Sequence, residues 1–401
     1  MKTAENAVWL YLSGDARTPQ EIDRFAEWCR ANRAGHVLVH LSLLPNPGEE
    51  LKQKIASIVA ACADAGIEVH GMIGTLLQRT TDRRELLFDD PSCYCVDAHG
   101  ISNWEEPICG RAYVFDPANP DVVRGVAASG ARLLDDFPGL AGIHLDFIRY
   151  YHYESRLTID TKHAGHWILM PKPGHPIRFE MADGSKITYF VERVQNAYND
   201  PPVGDRLELV RQYRFCFCDD CLRRFQERTG IGIPEHLTRT AEKAEWILRH
   251  HAAAWAEYRA AAITGIVRAI REAIRDKRPD AKLSAAVWYN APYGNELRGE
   301  PLTPDSEYDC FGQKWSDWAR DGLIDFVCPM DYWLSPEHFG NIVRDQMVKA
   351  GEAVPVYAGV LRSGEYPLTG DQLAEYAERA SAAGASGICF FHYGTWKDVL
   401  P

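Results

Sequence analysis

The chain has 401 residues, 46% of them hydrophobic and 25% charged, so it is long enough to bury a large core. Its formal net charge is -12 and no run of Lys or Arg clusters on one face, which argues against a nucleic acid or an anionic membrane as its partner. No stretch approaches the roughly 18 apolar residues of a membrane span. A neutral or cationic small substrate fits this composition better.

The N-terminal sequence "MKTAENAVWLYL" lacks the basic start and apolar core of a signal peptide. The eleven Cys are an odd number spread through a large chain, which favours reduced thiols over a disulfide framework. Both observations predict a cytoplasmic protein, although a chain trimmed of its signal peptide would read the same. Homo-oligomerisation is left open.

Short apolar runs recur along the chain with helical patterns between them. They are "AVWLYL" from Ala7, "HVLVHL" from His36, "EVHGMI" from Glu68, "GIHLDF" from Gly142, "KLSAAV" from Lys282, "FVCPMD" from Phe326, "PVYAGV" from Pro355 and "GICFFH" from Gly387. Eight strands with crossover helices predict the α/β class and one (β/α)8 barrel, a TIM barrel, over residues 1–401.

The helix signals between the strands support this prediction. Thr18-Pro19 with Glu21 indicates a capping box with Pro in the first turn, and Gly66 closes the next helix. A later helix carries an apolar stripe from Trp255 to Ile274 that predicts core packing. Trp315 and Trp318, three residues apart, also indicate helix packing.

Residues 152–212 are far longer than an ordinary loop between a strand and its helix. The pattern around Asp183-Gly184 predicts a β-hairpin, and we expect the insertion to form a lid over the barrel mouth. Its residues His163, His166, Trp167 and Tyr189 are either substrate contacts or a small cluster that holds the insertion together.

In a (β/α)8 barrel, residues at the C-terminal ends of the strands build the active site. Carboxylates and aromatic rings are frequent at these positions, which suits a sugar: its C–H faces stack on rings and its hydroxyls need polar partners. Two facing carboxylates are also what glycosidic cleavage requires. The catalytic candidates are Asp146, Asp331 and Glu365, and the substrate-binding candidates are Asp15, His40, Arg149, Tyr150, Trp288, Asn290, Trp333, Arg362 and His392.

Each candidate also has a purely structural interpretation. Asp146 with Arg149 could be a structural ion pair, Asp331 a loop cap, and Glu365 a solvated surface residue. His40 and His70 are better interpreted as hydrogen-bonded barrel residues than as catalysts. Among the tryptophans, the sugar-platform candidates lie in or just beyond strands: Trp9, Trp288, Trp333 and Trp396.

A cysteine group stands in the segment "FCFCDDCLRRF". Cys216, Cys218 and Cys221 have a spacing that can place three thiolates on one tetrahedral zinc, with a fourth ligand elsewhere. The alternative is three reduced cysteines without metal. A zinc at this group would be structural, because thiolate-rich sites are usually closed. No organic cofactor is expected.

Several stretches, "GIHLDFIRY", "FCFCDDCLRRFQERTGI", "QKWSDWARDGLIDFVCPMDYW" and "SGICFFHYGTW", resemble the glycoside hydrolase family 10-like barrel proteins. The resemblance covers most of the chain from Trp9 to Trp396 except the insertion. The cysteine spacing is also similar to the zinc site of family 42 β-galactosidases, where a fourth Cys precedes a Pro-containing turn. The comparable turn here, "VFDPANP", has Asp116 instead of that Cys, so the fourth ligand stays open, and Cys93, Cys95 or Cys109 could supply it.

The Trp-x-Asn-Glu motif of those galactosidases is absent, so their catalytic Glu pair is not carried over. An Asp on the fourth strand and an Asp on the sixth are similar to the retaining α-galactosidase and α-glucosidase clans. This resemblance implies Asp146 as nucleophile and Asp331 as general acid/base of a retaining glycoside hydrolase. The predicted lid favours exo-action on short oligosaccharides, because it would restrict the pocket to the end of a chain. The alternatives are a catalytically inactive carbohydrate-binding barrel and a metal-dependent hydrolase, although no HxH or HExxH pattern favours the latter.

Overall fold

The computed structural model describes residues 5–160, 173–195, 206–288 and 311–400. The strands are β1 (Asn6–Leu10), β2 (Ala34–Leu41), β3 (Glu68–Gly74), β4 (Leu77–Arg79), β5 (Ala112–Val114), β6 (Gly142–Asp146), β7 (His152–Asp160), β8 (Pro176–Glu180), β9 (Lys186–Gln195), β10 (Arg206–Arg214), β11 (Lys282–Trp288), β12 (Phe326–Met330), β13 (Tyr357–Leu361) and β14 (Gly387–Phe391). The helices are α1 (Pro19–Ala31), α2 (Glu49–Ala63), α3 (Pro120–Asp136), α4 (Asp219–Thr229), α5 (Thr240–His250), α6 (Ala252–Lys277), α7 (Trp315–Arg320), α8 (Pro336–Ala350), α9 (Gly370–Ala383) and α10 (Tyr393–Trp396).

The chain divides into two compact units. The first, the barrel unit, comprises Met1–Leu76, Pro117–Arg149 and Ala256–Pro401. The second, the insertion unit, comprises Leu77–Asp116 and Tyr150–Trp255. The insertion unit thus includes the long loop after β3 and the cysteine segment in addition to the segment after β6.

Eight parallel strands of the barrel unit form one sheet in the order β12-β11-β6-β3-β2-β1-β14-β13. A parallel bridge between Val327 and Val356 links the two edges, so the sheet is a nearly closed barrel. All eight predicted apolar runs coincide with these strands. The predicted (β/α)8 barrel is therefore confirmed.

Alternate residues of each barrel strand point into the barrel, because side chains along a strand alternate between its two faces. Along β12, Phe326, Cys328 and Met330 belong to the interior core cluster together with Trp9 and Met72. Close strand approach also constrains backbone positions: a Cβ at Gly359 of β13 would overlap the Pro329 carbonyl oxygen. The interior of the barrel is thus filled by side chains.

Helix α1 begins at the capping box that the sequence predicts, and α2 ends at Ala63, three residues before the predicted stop at Gly66. Thr18 accepts a hydrogen bond from the Glu21 N–H (3.2 Å), and Glu21 accepts one from the Thr18 N–H (3.3 Å), which forms the expected capping box of α1. Trp315 and Trp318 are buried, and the Trp318 indole donates to Thr264 of α6 (2.9 Å). These tryptophans join helices to each other and offer no surface to a ligand.

The insertion unit contains a four-stranded antiparallel sheet in the order β7-β10-β9-β8. β8 and β9 form a hairpin at the predicted position, with Gly184 in its turn at φ 79°. Val191, Leu207 and Leu209 form a small apolar cluster against which Tyr189 packs. Tyr189 therefore belongs to the packing of this sheet, while His163, His166 and Trp167 lie outside the described residues.

Polar side chains fill the interior near the N-terminal ends of the barrel strands. His144 of β6 is fully buried and pairs through Nδ1 with the Ser284 hydroxyl (2.8 Å). Burial lowers the pKa of His144 well below its ordinary value of 6.5, and the nearby His70 and His36 lower it further. His144 is therefore neutral in the folded protein, whereas the unfolded chain protonates it in mild acid.

We expect the free energy of unfolding to fall as the pH is lowered from about 6.5, because His144 then binds a proton only in the unfolded chain. This group alone contributes a slope of roughly 1.4 kcal/mol per pH unit once its unfolded form is fully protonated. Urea denaturation of the wild type and of His144→Gln at several pH values measures the slope. Identical slopes for the two proteins would contradict the assignment.

Candidate functional site

The last inward positions at the C-terminal ends of the barrel strands form a group that we call the mouth cluster. Its members are Tyr11, His40, Asp146, Trp288, Tyr332, Leu361 and Phe391. Tyr332 links its parts, with ring centroids 6.3 Å from Trp288 and 5.5 Å from Phe391. Tyr11 stacks on His40 at 5.6 Å and lies 6.1 Å from Phe391. The bottom of the mouth thus consists of aromatic rings in contact with one another, and the cluster contains one carboxylate.

Asp146 is the carboxylate of this cluster. It ends β6 on the same face as the buried His144, so it points towards the barrel interior. Its Oδ1 accepts a hydrogen bond from the Phe147 N–H (2.7 Å), and its side chain is 14% exposed. Its charge is close enough to raise the pKa of the Tyr332 phenol, although burial is the larger cause of that shift.

Arg149 holds this carboxylate from one side. Its Nη1 lies 3.9 Å from Asp146 Oδ1, and its guanidinium carbon is 4.5 Å from the Phe147 ring centroid and 5.7 Å from that of Trp288. A guanidinium between two rings has little freedom to move. The predicted pair is therefore present, with a rigid cation beside a partly exposed carboxylate.

Asp331 lies in a different environment from Asp146. Tyr332 belongs to the mouth cluster, so the strand alternation turns the preceding Asp331 to the helix-facing side of β12. Its Oδ1 accepts a hydrogen bond from Gln346 of α8 (2.6 Å), and the residue is 2% exposed. It lines a small cavity with side chains of β13 and α9, including Tyr376. Leu361 of the mouth cluster and Trp333 line the same cavity, and the role of Asp331 as general acid/base stays a prediction.

Trp288 and Trp333 present a partly exposed aromatic surface. Their rings stack at 6.0 Å with an interplanar angle of 27°. Trp288 also stacks on Phe311 at 5.8 Å, and Trp333 meets Tyr366 edge-on at 6.3 Å. Both tryptophans lie where the sequence predicts sugar platforms.

The loop after β13 carries two of the predicted site residues, Arg362 and Glu365, of which only the first is held by hydrogen bonds to the backbone. Arg362 donates to the backbone oxygens of Leu368 (2.9 Å) and Thr395 (2.8 Å), so its guanidinium joins this loop to α10. Glu365 is exposed at the tip of the same loop. Arg362 therefore shapes the loop, and Glu365 has a freely accessible carboxylate.

Asp15, His40 and His392 lie on the side of the mouth formed by β1, β2 and β14. Asp15 is buried and accepts a hydrogen bond from the Lys397 ammonium (2.7 Å). The His392 ring lies 5.1 Å from that of Tyr11. Burial lowers the pKa of His392, which the charge of Asp15 partly offsets. These residues form a polar edge next to the aromatic floor.

Three predicted contacts do not offer a surface to a substrate. Tyr150 is 1% exposed, Trp9 lies within the barrel core, and Trp396 is fully buried. The platform prediction for both tryptophans is corrected: residues in or beside a strand are as often interior as exposed. Asn290 lies outside the described residues.

Sequence reasoning missed Tyr11, Phe391 and Lys397 as members or neighbours of the mouth. Strand alternation could have found Tyr11 and Phe391, because each lies two residues after an interior residue, Trp9 and Cys389 respectively. The ion pair of Lys397 with Asp15 joins positions 382 residues apart, and no local signal indicates it.

A cluster of four possible metal ligands is buried in the insertion unit. It consists of Asp116, Cys216, Cys218 and Cys221, whose ligand atoms all lie within 4.8 Å of one another. The three cysteines are those of the predicted group. The fourth member is Asp116, the residue of the turn for which the sequence left the fourth ligand open.

The spacing of these atoms fits a tetrahedral metal site. The sulfurs of Cys218 and Cys221 lie 3.3 to 3.6 Å from the Asp116 carboxylate oxygens. A sulfur and an oxygen bound to one zinc ion would lie about 3.5 Å apart, from Zn–S near 2.3 Å and Zn–O near 2.1 Å. The residues present therefore suit a metal ion that prefers thiolate and carboxylate ligands.

The electrostatics of the cluster favour a thiolate. Burial opposes ionisation of Cys216, but hydrogen bonds from the thiols of Cys218, Cys221 and Cys95 hold the pKa of Cys216 well below its ordinary range. The Val96 N–H also donates to its sulfur (3.3 Å). A thiolate is the form of cysteine that binds a metal ion.

Comparison with solved structures identifies barrels of the same architecture. A β-galactosidase from the haloarchaeon Halorubrum lacusprofundi superposes with a TM-score of 0.55 at 14% identity, over 97% of this chain and 52% of that one. One from Marinomonas ef1 gives 0.55 at 10% identity, with 97% and 54% coverage. A catalytic mutant of the family 42 β-galactosidase from G. stearothermophilus gives 0.55 at 10% identity, with 97% and 51%. At this identity the likeness shows the fold, and the chain spans about half the length of these proteins.

No curated protein matches the sequence. Among the described helices, none combines the length and apolar character needed to cross a membrane. Residues 219–365 match the family model "Glycosyl hydrolase-like 10". The match includes α4, which begins just after Cys218, and the segment from α7 to β12, both of which lie within stretches on which the family resemblance is based. The chain is thus a (β/α)8 barrel, part of which is similar to the glycosyl hydrolase-like 10 family, and its resemblance to the glycoside hydrolase family 10-like barrels is confirmed.

Proposed function

We propose that the barrel mouth hydrolyses glycosidic bonds of an oligo- or polysaccharide, with Asp146 as the nucleophile. The observation that carries this proposal is the position of Asp146 at the end of β6, where its charge acts on Tyr332 and its partner Arg149 lies over the Trp288 ring. Rings can stack on the C–H face of a sugar while the carboxylate faces its anomeric carbon. Arg149 beside it keeps the carboxylate oriented.

The chemistry would proceed in two steps with retention of configuration. Asp146 attacks the anomeric carbon while an acid protonates the departing oxygen, which gives a glycosyl ester on Asp146. The residue that gave its proton to the departing oxygen then acts as a base and activates a water molecule. This water cleaves the ester and restores the Asp146 carboxylate. The aromatic floor excludes water from one side of the reacting sugar.

The proton donor is better assigned to Glu365 than to Asp331. Asp331 is buried against α8 and would have to leave Gln346 to reach a substrate. Asp15 is buried and paired with Lys397. Glu365 is an exposed carboxylate after β13, at the C-terminal end of the barrel where such residues act.

Replacing the two proposed catalytic residues should give different kinetic signatures. Asp146→Asn should lower kcat on aryl glycosides by at least about a thousandfold, because the nucleophile is lost. Glu365→Gln should impair substrates with poor leaving groups strongly and those with a dinitrophenolate leaving group little, because the latter needs no proton. Steady-state kinetics on both substrate types measure these effects.

Asp331→Asn is the matched control for these variants. It should retain most activity on both substrate types, since Gln346 can still donate a hydrogen bond to its remaining oxygen. Loss of activity in Asp331→Asn with the leaving-group dependence expected for an acid would return the role to Asp331. Sugar binding without turnover by the wild type would instead favour a carbohydrate-binding barrel.

We also propose that Asp116, Cys216, Cys218 and Cys221 bind a structural zinc ion. Their burial and the mixed sulfur and oxygen donor set support this assignment. Zinc would supply a closed cross-link there and no chemistry on the substrate. It would join the turn after β5 to the start of α4, two segments about a hundred residues apart in the chain.

Protein purified without chelators should contain about one equivalent of zinc. Asp116→Ala should weaken zinc binding by at least about tenfold, whereas Asp116→Cys should retain it because a fourth thiolate replaces the carboxylate. Elemental analysis and competition with a chromophoric chelator measure both. A wild type that neither contains nor takes up zinc would contradict the proposal.

We further propose that the inserted segment, residues 152–212, acts as a lid that restricts the substrate to chain ends. The second part of the insertion unit, which contains this segment, begins four residues after the proposed nucleophile, so the two are directly connected in the chain. Such a lid would make the enzyme exo-acting on short oligosaccharides.

Replacing residues 161–205 by Asn-Gly tests the lid. Asp160 and Arg206 are directly paired in β7 and β10, so a two-residue turn can join them. The shortened protein should cleave interior glycosidic bonds as well as those at the chain ends. Analysis of the products from an oligosaccharide labelled at its reducing end measures this change. Thr188→Val is the control, because it removes the hydroxyl bond to buried Glu106 (2.7 Å) and keeps the insertion. An unchanged preference for chain ends would exclude the lid.

A further inference from the structure

A second group of metal-binding side chains lies in the barrel unit, at the end opposite to the mouth. Glu68 is the first residue of β3, and His70 is the third. His36 is the third residue of β2, which pairs in parallel with β3 so that His36 and Glu68 are register partners. The three side chains therefore meet at the N-terminal ends of two neighbouring strands.

Three of their donor atoms form a nearly equilateral triangle. Nδ1 of His36 lies 3.1 Å from Nε2 of His70 and 3.3 Å from Oε2 of Glu68, and the last two atoms are 3.5 Å apart. The centre of such a triangle is about 1.9 Å from each corner, and metal bonds to His nitrogen and carboxylate oxygen are about 2.0 to 2.2 Å. An ion slightly out of the plane would therefore reach all three atoms with almost no movement of the protein.

The surroundings hold the two imidazoles in this orientation. The other nitrogen of His36, Nε2, pairs with the Tyr357 hydroxyl at 3.0 Å. Metal-bound histidines commonly use their second nitrogen in this way, which fixes the tautomer and the ring. The Phe326 ring stacks on His36 at 4.6 Å and meets His70 edge-on at 5.3 Å.

His70 and Glu68 supply the remaining features of a site. His70 is fully buried, and its Nδ1 makes no hydrogen bond among the described residues, so its polar contacts are those at the Nε2 corner of the triangle. The Glu68 side chain is 35% exposed, which gives an ion access from solvent. Lys282 contacts both Glu68 oxygens at 2.6 Å and would keep Oε1 when an ion takes Oε2.

We propose that His36, Glu68 and His70 bind a divalent transition-metal ion of the Zn²⁺ or Co²⁺ type. Two imidazoles and one carboxylate are a donor set that such ions prefer, and three protein ligands leave further coordination positions open. The site is independent of the proposed hydrolysis at the other end of the barrel. A bound ion would cross-link β2 to β3 and stabilise the folded barrel.

Cobalt titration of protein that holds one equivalent of zinc tests this site, because we expect that single equivalent to occupy the thiolate-rich cysteine cluster and to leave the triangle for Co²⁺. We expect one further equivalent of Co²⁺ to bind, with visible d–d bands and without the charge-transfer band of a thiolate ligand. Glu68→Gln and His36→Gln should weaken this binding by at least about a hundredfold, and Tyr357→Phe by about tenfold. The melting temperature should rise with Co²⁺ in the wild type and stay unchanged in Glu68→Gln.

Two further variants separate metal binding from a structural role of the cluster. Lys282→Met should tighten Co²⁺ binding several-fold, because it removes a cation that competes for Glu68, whereas an ordinary ion pair would only lose stability. His144→Gln, a buried barrel histidine outside the triangle, should bind Co²⁺ like the wild type. Absence of a further equivalent in both the wild type and Lys282→Met, or equal binding in Glu68→Gln, would overturn the proposal.

Discussion

The alternation of side chains along parallel barrel strands is the constraint on which the rest of this structure depends. In a nearly closed sheet, every second side chain points into a space that other strands also fill, and the intervening ones face the helices. Asp146 follows the buried His144 by two residues and reaches the mouth. Asp331 precedes the inward Tyr332 by one residue and meets Gln346 of α8 instead. A shift of one position thus separates two carboxylates that look alike in the sequence.

The same constraint places polar groups at the two ends of the barrel interior. The middle is apolar, with Trp9, Met72 and Cys328 in one core cluster. A charged group in that middle would lose its hydration without a partner, which costs several kcal/mol. At the ends, water and neighbouring charges are available, so Asp146 at one end and Glu68 at the other are each paired with a cation.

The insertion unit is held together in another way. Its four-stranded sheet packs on a small apolar cluster around Leu209, and further aromatic side chains, among them Phe115 and Phe215, are buried elsewhere in the unit. Buried polar contacts supplement it: Arg211, 1% exposed, lies 2.8 Å from Asp97 and 3.6 Å from Glu106. The cysteine cluster with Asp116 provides a further cross-link if it binds metal. Small units commonly rely on such cross-links because their surface is large relative to their core.

Local patterns in the sequence were enough to predict the barrel, its eight strands, the capped helix α1, the hairpin around Gly184 and the three-cysteine group. These features depend on periodicity, capping and spacing, which are local properties of the chain. Tertiary structure alone decided that Asp116 joins the cysteines, that Lys397 pairs with Asp15, and that His36, Glu68 and His70 converge. It also decided which strand-end residues face the mouth, because that depends on the register and closure of the sheet. Contacts between residues distant in the chain leave no local pattern, so only the folded barrel brings them together.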